Sequence, residues 1–327
     1  MRDDREQGVR PAYGAWVDFE GMLFRISHTT RFEYDQPARD SHNELRIRPW
    51  DGAGQRCLHF DLTADQPAAI LAYRDFFGNH AHSVAVSVPH HRLAIVARSL
   101  VERIAAPACE YSEVPFREFL SGDKPRISAY LEFLNPSRYI PFSERLRKFF
   151  WMAARPKANE DVAAYVMRVI VYVRGQFEYE TTKTHVYSSL NDILKSGGGV
   201  CQDFSHLTIG LLRLSGVPAR YISGYLIPMP PPGRVSELSR QASHAWLEAW
   251  LPGAGWTGFD PTHGCRTDER HIGVAIGRDY DDVPPLRGVY RSDGNSATMA
   301  VMLNIDPASE EDSSGGPSAQ GDYQPQQ

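Results

Sequence analysis

Ser196-Gly-Gly-Gly-Val-Cys-Gln-Asp-Phe-Ser-His206 decides the fold, because it places Cys201 where a glycine-rich turn gives way to a helix. Apolar residues at helical spacing follow Cys201, and Gly216 and Pro218 mark the end of the predicted helix. A thiol at a helix N-terminus faces unpaired backbone N–H groups and the positive end of the helix dipole, which favour the thiolate. Cys201 is therefore a candidate nucleophile.

A lone cysteine does not define a mechanism, since most cysteines are simply small buried residues. A thiol nucleophile needs a base that takes its proton and a third group that orients the base. The stretch Ser243–Leu251 alternates like a strand and carries His244, and residues 252–255 then turn the chain. Residues 256–260 read as the returning strand, which ends in Asp260. The sequence thus predicts a hairpin that carries both a histidine and an aspartate.

The predicted hairpin is compatible with a contact between His244 and Asp260, but the sequence alone does not fix the register that would bring them together. Neighbouring or diagonal positions on paired strands are close enough for Asp260 to accept a hydrogen bond from one ring nitrogen of His244 while the other faces Cys201. A bulge in the glycine-rich turn would instead move Asp260 to the other face. The alternative is a surface histidine beside a turn aspartate. The three residue types together favour a catalytic constellation.

Four segments together resemble the bacterial transglutaminase-like enzymes of the papain-like superfamily. They are residues 199–207 (GVCQDFSHL), 218–226 (PARYISGYL), 244–250 (HAWLEAW) and 255–262 (GWTGFDPT). The resemblance assigns the family's nucleophile, base and orienting carboxylate to Cys201, His244 and Asp260. It implies acyl transfer from a peptide or side-chain amide through a thioester acyl-enzyme.

The resemblance covers roughly residues 22–303 and implies a domain organisation. Segments within residues 29–79 are similar to the β-rich domain that often precedes this core, and short alternating runs there are typical of antiparallel strands. We expect an α+β protein with a β-sandwich-like N-terminal domain, followed by a papain-like core of helices packed on an antiparallel sheet. The predicted parts are an extension (1–21), the β-rich domain (22–103), a connector (104–155), the catalytic domain with a C-terminal extension (156–303) and a disordered acidic tail (304–327).

Composition and charge exclude several classes of protein. The 327 residues are 42% hydrophobic, and the formal charge of −5 is accounted for by acidic residues after residue 305, so the remainder sums to zero. We therefore expect no binding to nucleic acid or to a membrane surface. No apolar run approaches the roughly 20 residues that span a bilayer, which predicts a cytoplasmic protein. Four cysteines without CxxC spacing predict reduced thiols, and the oligomeric state is left open.

Two groups of residues match a metal site only in part. His80 and His82 lie on one face of a predicted strand without a third ligand, and residues 279–282 lack the glycine and closing glutamate of an EF-hand loop. The glycines before Cys201 are not followed by the Lys-Ser/Thr of a phosphate-binding loop. The sequence predicts neither a metal nor another cofactor.

The resemblance leaves the acceptor of the acyl group open. The backbone N–H of Cys201 is the first candidate oxyanion donor, and Gln202, Trp246 and Tyr179 are further candidates for oxyanion or substrate binding. Hydrolysis of a protein or peptide substrate asks least of the site and is the favoured activity. The alternatives are a protein-glutamine transglutaminase with an amine acceptor and a non-catalytic peptide-binding protein.

Overall fold

The computed structural model describes residues 21–52, 54–104, 111–122, 130–183, 188–227, 243–294 and 296–309. The predicted extension up to residue 20, Cys109 and the proline-rich residues 229–233 lie outside these ranges. Within the described ranges, no helix has the length and apolarity to cross a membrane. Cys57, Cys201 and Cys265 are free thiols there.

The N-terminal region is a curled antiparallel sheet organised around one long strand, β1. The first half of β1 pairs with β5 and the second half with β4, and the register shifts between Glu33 and Ala38, where the strand bends. The two halves enclose a small apolar core that includes Val84, Leu93 and Ile95. These strands are β1 (Leu23–Leu45), β2 (Gln55–Ala64), β3 (Ala69–Arg74), β4 (His80–Val86) and β5 (His90–Arg103).

The second region packs helices on a five-stranded antiparallel sheet, which confirms the predicted α+β fold class. The sheet has the order β11-β10-β9-β8-β12, and α5 packs against β8 and β9. The helices are α1 (Phe116–Ser121), α2 (Glu144–Phe149, continued by a π-helical turn, Phe150–Ala154), α3 (Val162–Gln176), α4 (Leu190–Ser196) and α5 (Cys201–Ser215). The strands are β6 (Glu178–Tyr179), β7 (Gly198–Gly199), β8 (Ala219–Leu226), β9 (Ser243–Leu251), β10 (Gly255–Asp260), β11 (Cys265–Arg266) and β12 (His271–Gly277).

The helix that begins at Cys201 is the centre of this region. Nearly all of its residues are buried, because α3 covers one side and the sheet covers another. Phe204, Leu207 and Leu211 are fully buried in an apolar core that also contains Phe24 and Ile26 of β1. The N-terminal sheet therefore supports the same core that holds the cysteine helix in place.

The last two strands correct the predicted C-terminal boundary. β13 (Leu286–Arg291) and β14 (Ala297–Ala308) return to the N-terminal sheet and pair with β1. Residues 304–308, predicted as part of a disordered tail, continue β14 in unbroken antiparallel register with β1. Leu303 and Ile305 are buried, so apolar alternation outweighs the acidic composition that suggested disorder.

Candidate active site

Cys201 is the first residue of α5 and is partly buried. The preceding Val200 is extended, and Asp203 in the first turn accepts a hydrogen bond from the Val200 backbone N–H at 2.9 Å. This contact fixes the entry of the chain into the helix and sets a negative charge at the positive helix end. Gly199 lies so close to Asp203 that a Cβ there would be 2.5 Å from the carboxylate, which explains a glycine immediately before this turn.

His244 and Asp260 come together at the hairpin. The strands β9 and β10 pair without a bulge from Gly255↔Leu251 to Phe259↔Leu247, which places Asp260 diagonally opposite His244 on the same face. The Asp260 Oδ2 lies 2.7 Å from the His244 Nε2. His244 is 8% exposed and Asp260 is completely buried.

The other side of the His244 ring meets the thiol. The side chains of His244 and Cys201 are hydrogen-bonded, so His244 bridges the cysteine and the aspartate. Burial disfavours a charged imidazole, but the hydrogen bonds to Asp260 and Cys201 and their negative charges outweigh it and raise the pKa of His244 to about 10. The surroundings thus favour the imidazolium, which can donate a proton.

Asp260 binds more partners than the sequence indicated. Its Oδ2 also lies 2.6 Å from the His263 Nδ1 and 3.1 Å from the His271 Nε2. Its Oδ1 accepts from the backbone N–H groups of Thr262 at 2.9 Å and His263 at 3.2 Å. Burial would raise the pKa of the Asp260 carboxyl, but its hydrogen bonds to the three histidines hold that pKa well below its ordinary value. Asp260 is therefore an ionised carboxylate inside the protein.

Sequence reasoning missed both additional histidines. His263 lies three residues after Asp260 in the turn that follows β10, and its side chain is 39% exposed. His271 begins β12, which pairs with β8 on the side opposite β9. The short spacing was a usable signal for His263, whereas His271 approaches through sheet pairing that no local motif encodes.

Tyr179, the first of the remaining candidates, is a half-exposed residue of β6. Its side chain is 49% exposed, and its ring centroid is 6.3 Å from that of Phe204 in α5. Partial burial and the nearby negative charges of Cys201 and Asp260 raise its pKa. Tyr179 is thus near enough to Cys201 and Asp260 to feel their charges, and its role in substrate binding stays a prediction.

Trp246 and Gln202 lie inside the protein. Trp246 is 3% exposed, and its ring centroid lies 5.1 Å from that of His271 and 6.0 Å from that of His244. The missing side chain of Gly224 leaves room for the Trp246 ring. Trp246 therefore packs beneath the imidazoles rather than lining the surface of a cleft. Gln202 is 6% exposed, so its side chain is turned into the protein.

One group of side chains has the composition of a metal site. His244, Asp260 and His271 each present a donor atom within 4.8 Å of the others, a set that Zn²⁺ can use. The Asp260 Oδ2 instead accepts from both ring nitrogens at hydrogen-bond distances of 2.7 and 3.1 Å, so the three groups satisfy one another. His80 accepts from the Arg48 guanidinium at 3.0 Å, and this cation disfavours a metal ion beside His80 and His82.

Family comparisons match both regions of the chain. The bacterial transglutaminase-like N-terminal region matches residues 24–102, and the transglutaminase-like superfamily matches residues 152–261, which contain Cys201, His244 and Asp260. An uncharacterised protein of Mycobacterium leprae is 33% identical over 281 residues, 86% of this chain and 97% of that protein. An uncharacterised protein of Mycobacterium tuberculosis is 31% identical over 295 residues, 87% of this chain and 92% of that protein.

Two further relatives differ in what they share with the chain. The crystal structure of a candidate cysteine protease from Cytophaga hutchinsonii has the same fold, with a TM-score of 0.67 and 22% identity, and the match covers 88% of this chain and 91% of that one. A protein-glutamine gamma-glutamyltransferase of Pseudomonas aeruginosa is 35% identical over 66 residues, which are 20% of this chain and 10% of that protein.

Proposed function

Because the chain belongs to the transglutaminase-like superfamily, we propose that it is a cysteine-dependent enzyme that transfers the acyl group of a peptide or side-chain amide through a thioester on Cys201. One observation carries this proposal. His244 is hydrogen-bonded to Cys201 on one side and to the buried Asp260 on the other. Nucleophile, base and orienting carboxylate then follow one another in space, the arrangement that thiol acyl transfer needs.

The proposed reaction begins with the Cys201 thiolate, which attacks the carbonyl carbon of the amide. The His244 imidazolium donates its proton to the departing amine, and Asp260 holds the ring and stabilises its charge. The backbone N–H of Cys201, the first residue of α5, is the proposed donor to the developing oxyanion, because the first N–H groups of a helix have no intrahelical acceptor. Gln202 as a second oxyanion donor stays a prediction.

We propose hydrolysis as the second half of the reaction. Water attacks the thioester carbonyl while His244 accepts a proton, and the acid product and the free thiol result. Hydrolysis requires no binding site for a second substrate. The substrate is a protein or peptide in this proposal, and the half-exposed Tyr179 is a candidate to contact it. A cytoplasmic location stays a prediction.

Transglutaminase activity is the second candidate. It is supported by the 35% identity over 66 residues to the Pseudomonas aeruginosa protein-glutamine gamma-glutamyltransferase. The acyl-enzyme is the same, but an amine instead of water attacks the thioester. The balance between transfer to an amine and hydrolysis then depends on whether the site admits the amine and excludes water.

Labelling and product analysis test these alternatives. Iodoacetamide should alkylate Cys201 much faster than Cys57, and glutamine- or asparagine-containing peptides should release ammonia or a new amino terminus. An added primary amine is incorporated covalently by a transglutaminase, whereas a hydrolase gives only the acid. If Cys201 labels no faster than Cys57 and a broad peptide library yields neither product, the enzyme proposal is wrong and a peptide-binding protein remains.

A further inference from the structure

The Asp260 carboxylate is shared by imidazoles from two strands that lie on opposite sides of β8. His244 is carried by β9, where it pairs with Gly224, and His271 is carried by β12, where it pairs with Leu226. Both rings use their Nε2 atom toward the same oxygen, Asp260 Oδ2. Two independent strands therefore converge on one carboxylate oxygen.

We propose that His271 is a positioning residue of the active site, which fixes Asp260 through its Nε2–H and limits how strongly Asp260 holds the His244 imidazolium. The inference rests on the proposed function of Cys201, His244 and Asp260. It adds a fourth residue behind them that touches neither the thiol nor a substrate.

The number of donors around Asp260 shows that His271 does more than satisfy a buried charge. The Oδ1 atom already accepts from two backbone N–H groups, and Oδ2 accepts from the rings of His244 and His263. These four donors match the roughly four lone-pair positions of a carboxylate. The Nε2–H of His271 is a fifth donor, and it competes with His244 for Oδ2.

The other nitrogen of the His271 ring, Nδ1, is also held by hydrogen bonds. Its Nδ1 lies 3.0 Å from the Asp268 Oδ1 and 3.1 Å from the Asp268 backbone N–H, so it has an acceptor when protonated and a donor when neutral. Arg270 binds Asp268 through Nε at 2.9 Å and Nη2 at 2.6 Å. The ionised Asp260 Oδ2 can only accept a hydrogen bond, so it selects the neutral tautomer with the proton on Nε2, and the Nε2–H points at Asp260 in either protonation state of His271.

Several charged groups surround His271. Asp260 faces it from β10, Asp268 and Arg270 from the chain before β12, and the Arg103 guanidinium of β5 donates to its carbonyl oxygen at 3.3 Å. The ring centroid of His244 lies 6.0 Å away. Burial opposes the charged ring of His271, but the hydrogen bonds to the two carboxylates outweigh it and raise its pKa.

The effect of removing the fifth donor follows from this competition. Without the His271 N–H, Asp260 binds the His244 imidazolium more strongly and is less firmly oriented. A more strongly held proton is transferred less readily to the leaving amine. We expect a lower kcat, a nearly unchanged KM and an alkaline limb of the pH profile that moves to higher pH.

Three variants test the proposal in the full chain. His271→Gln keeps a side-chain N–H donor, His271→Met keeps similar volume without a donor, and Asp268→Asn removes the charge behind the ring without opening a cavity. His90→Gln is the matched control, because His90 is a buried, hydrogen-bonded histidine in the N-terminal sheet that contacts none of these residues.

The measurements are kcat and KM against pH on a peptide that the wild-type protein turns over, together with the rate of Cys201 alkylation by iodoacetamide against pH. We expect His271→Met to lower kcat at least tenfold and to move the alkaline limb of the pH profile to higher pH. His271→Gln should restore most of the wild-type kcat and most of the wild-type position of the limb. Asp268→Asn should move the limb to higher pH by a smaller amount. His90→Gln should lower Tm without moving the limb.

If His271→Gln and His271→Met have the same kcat and the same position of the alkaline limb, the positioning role is wrong. If His271→Met does not fold, an unmoved limb in Asp268→Asn overturns it. Failure of the proposed function has a different signature, since wild-type Cys201 would then label no faster than Cys57 at any pH.

Discussion

Asp260 lies diagonally opposite His244 across the paired strands β9 and β10, and 2.7 Å separates its Oδ2 from the His244 Nε2. Alternation along β9 decides which residues share a face, but the unbroken register decides that this face includes Asp260. A single bulge in the turn would have directed the carboxylate away from the histidine. The order of strands and the absence of a bulge between them therefore create the site as much as the residues themselves do.

Replacement of the nucleophile or the base should abolish activity without unfolding the protein. We expect Cys201→Ala and His244→Ala each to lower kcat by about 10⁵-fold or more while the protein stays folded. The Tm of Cys201→Ala should lie within a few degrees of wild type, whereas His244→Ala should have a lower Tm because it loses the buried contact with Asp260. Peptide turnover and circular dichroism measure the two properties. Cys57→Ala is the matched control, because Cys57 is buried in the N-terminal sheet. This variant should retain full activity. Full turnover by Cys201→Ala would rule out the assigned nucleophile.

Replacement of Asp260 should be less severe chemically and more severe for folding. Asp260→Asn keeps the shape but removes the charge that stabilises the imidazolium, so we expect kcat to fall by about 10³- to 10⁴-fold with measurable residual activity. The neutral amide also disturbs contacts with three histidines inside the protein, so Tm should fall as well. A variant with wild-type kcat would show that the carboxylate has no role in orienting His244.

The sequence predicted the parts of the site that local patterns encode. The glycine-rich turn, the start of the helix at Cys201 and the alternation around His244 each depend on residues within one segment. His271 was missed because it reaches Asp260 only through the pairing of β12 with β8. Residues 304–308 were misjudged because the acidic composition was given more weight than the alternation of Leu303 and Ile305, and the pairing with β1 that buries these two residues joins opposite ends of the chain. Contacts between distant segments were the part that composition and periodicity left open.

The turn before Cys201 should tolerate no side chain at Gly199. In Gly199→Ala the new Cβ would lie 2.5 Å from the Asp203 carboxylate, which would displace the capping contact with Val200 and the thiol with it. We expect a loss of about 1 to 3 kcal/mol in the free energy of unfolding and slower alkylation of Cys201. Urea unfolding and iodoacetamide labelling measure these.

Gly175→Ala is the matched control, because this helical glycine has open space around its Cβ position. It should stabilise the protein by about 0.5 to 1 kcal/mol and leave labelling unchanged. Equal stability of the two variants would contradict the close approach of Gly199 to Asp203.

The C-terminal strand should contribute to the stability of the N-terminal sheet. Ile305 is 2% exposed in β14, so Ile305→Ala should lower the free energy of unfolding by about 2 to 5 kcal/mol. Val301 lies in the same strand but is 51% exposed, so Val301→Ala should change the free energy of unfolding by less than about 1 kcal/mol. Urea unfolding separates the two. Similar, small effects would show that β14 does not dock on β1 in solution.

The raised pKa of His244 predicts how stability depends on pH. The folded protein holds the imidazolium with a pKa of about 10, whereas an unfolded histidine titrates near its ordinary value of 6.5. The charged ring therefore contributes stability that is complete below the unfolded value and is lost as the pH rises through the folded one. His244→Gln, which cannot be charged, should be least stable relative to wild type near pH 6, and the gap should narrow as the pH approaches 10. Urea unfolding at several pH values measures this gap.

The same series in a Cys201→Ala background tests the source of the raised pKa. The pH range over which the stability difference is lost should become narrower, because one of the two hydrogen-bond partners that raise the pKa of His244 has gone. A gap that does not change with pH would show that His244 is neutral in the folded protein.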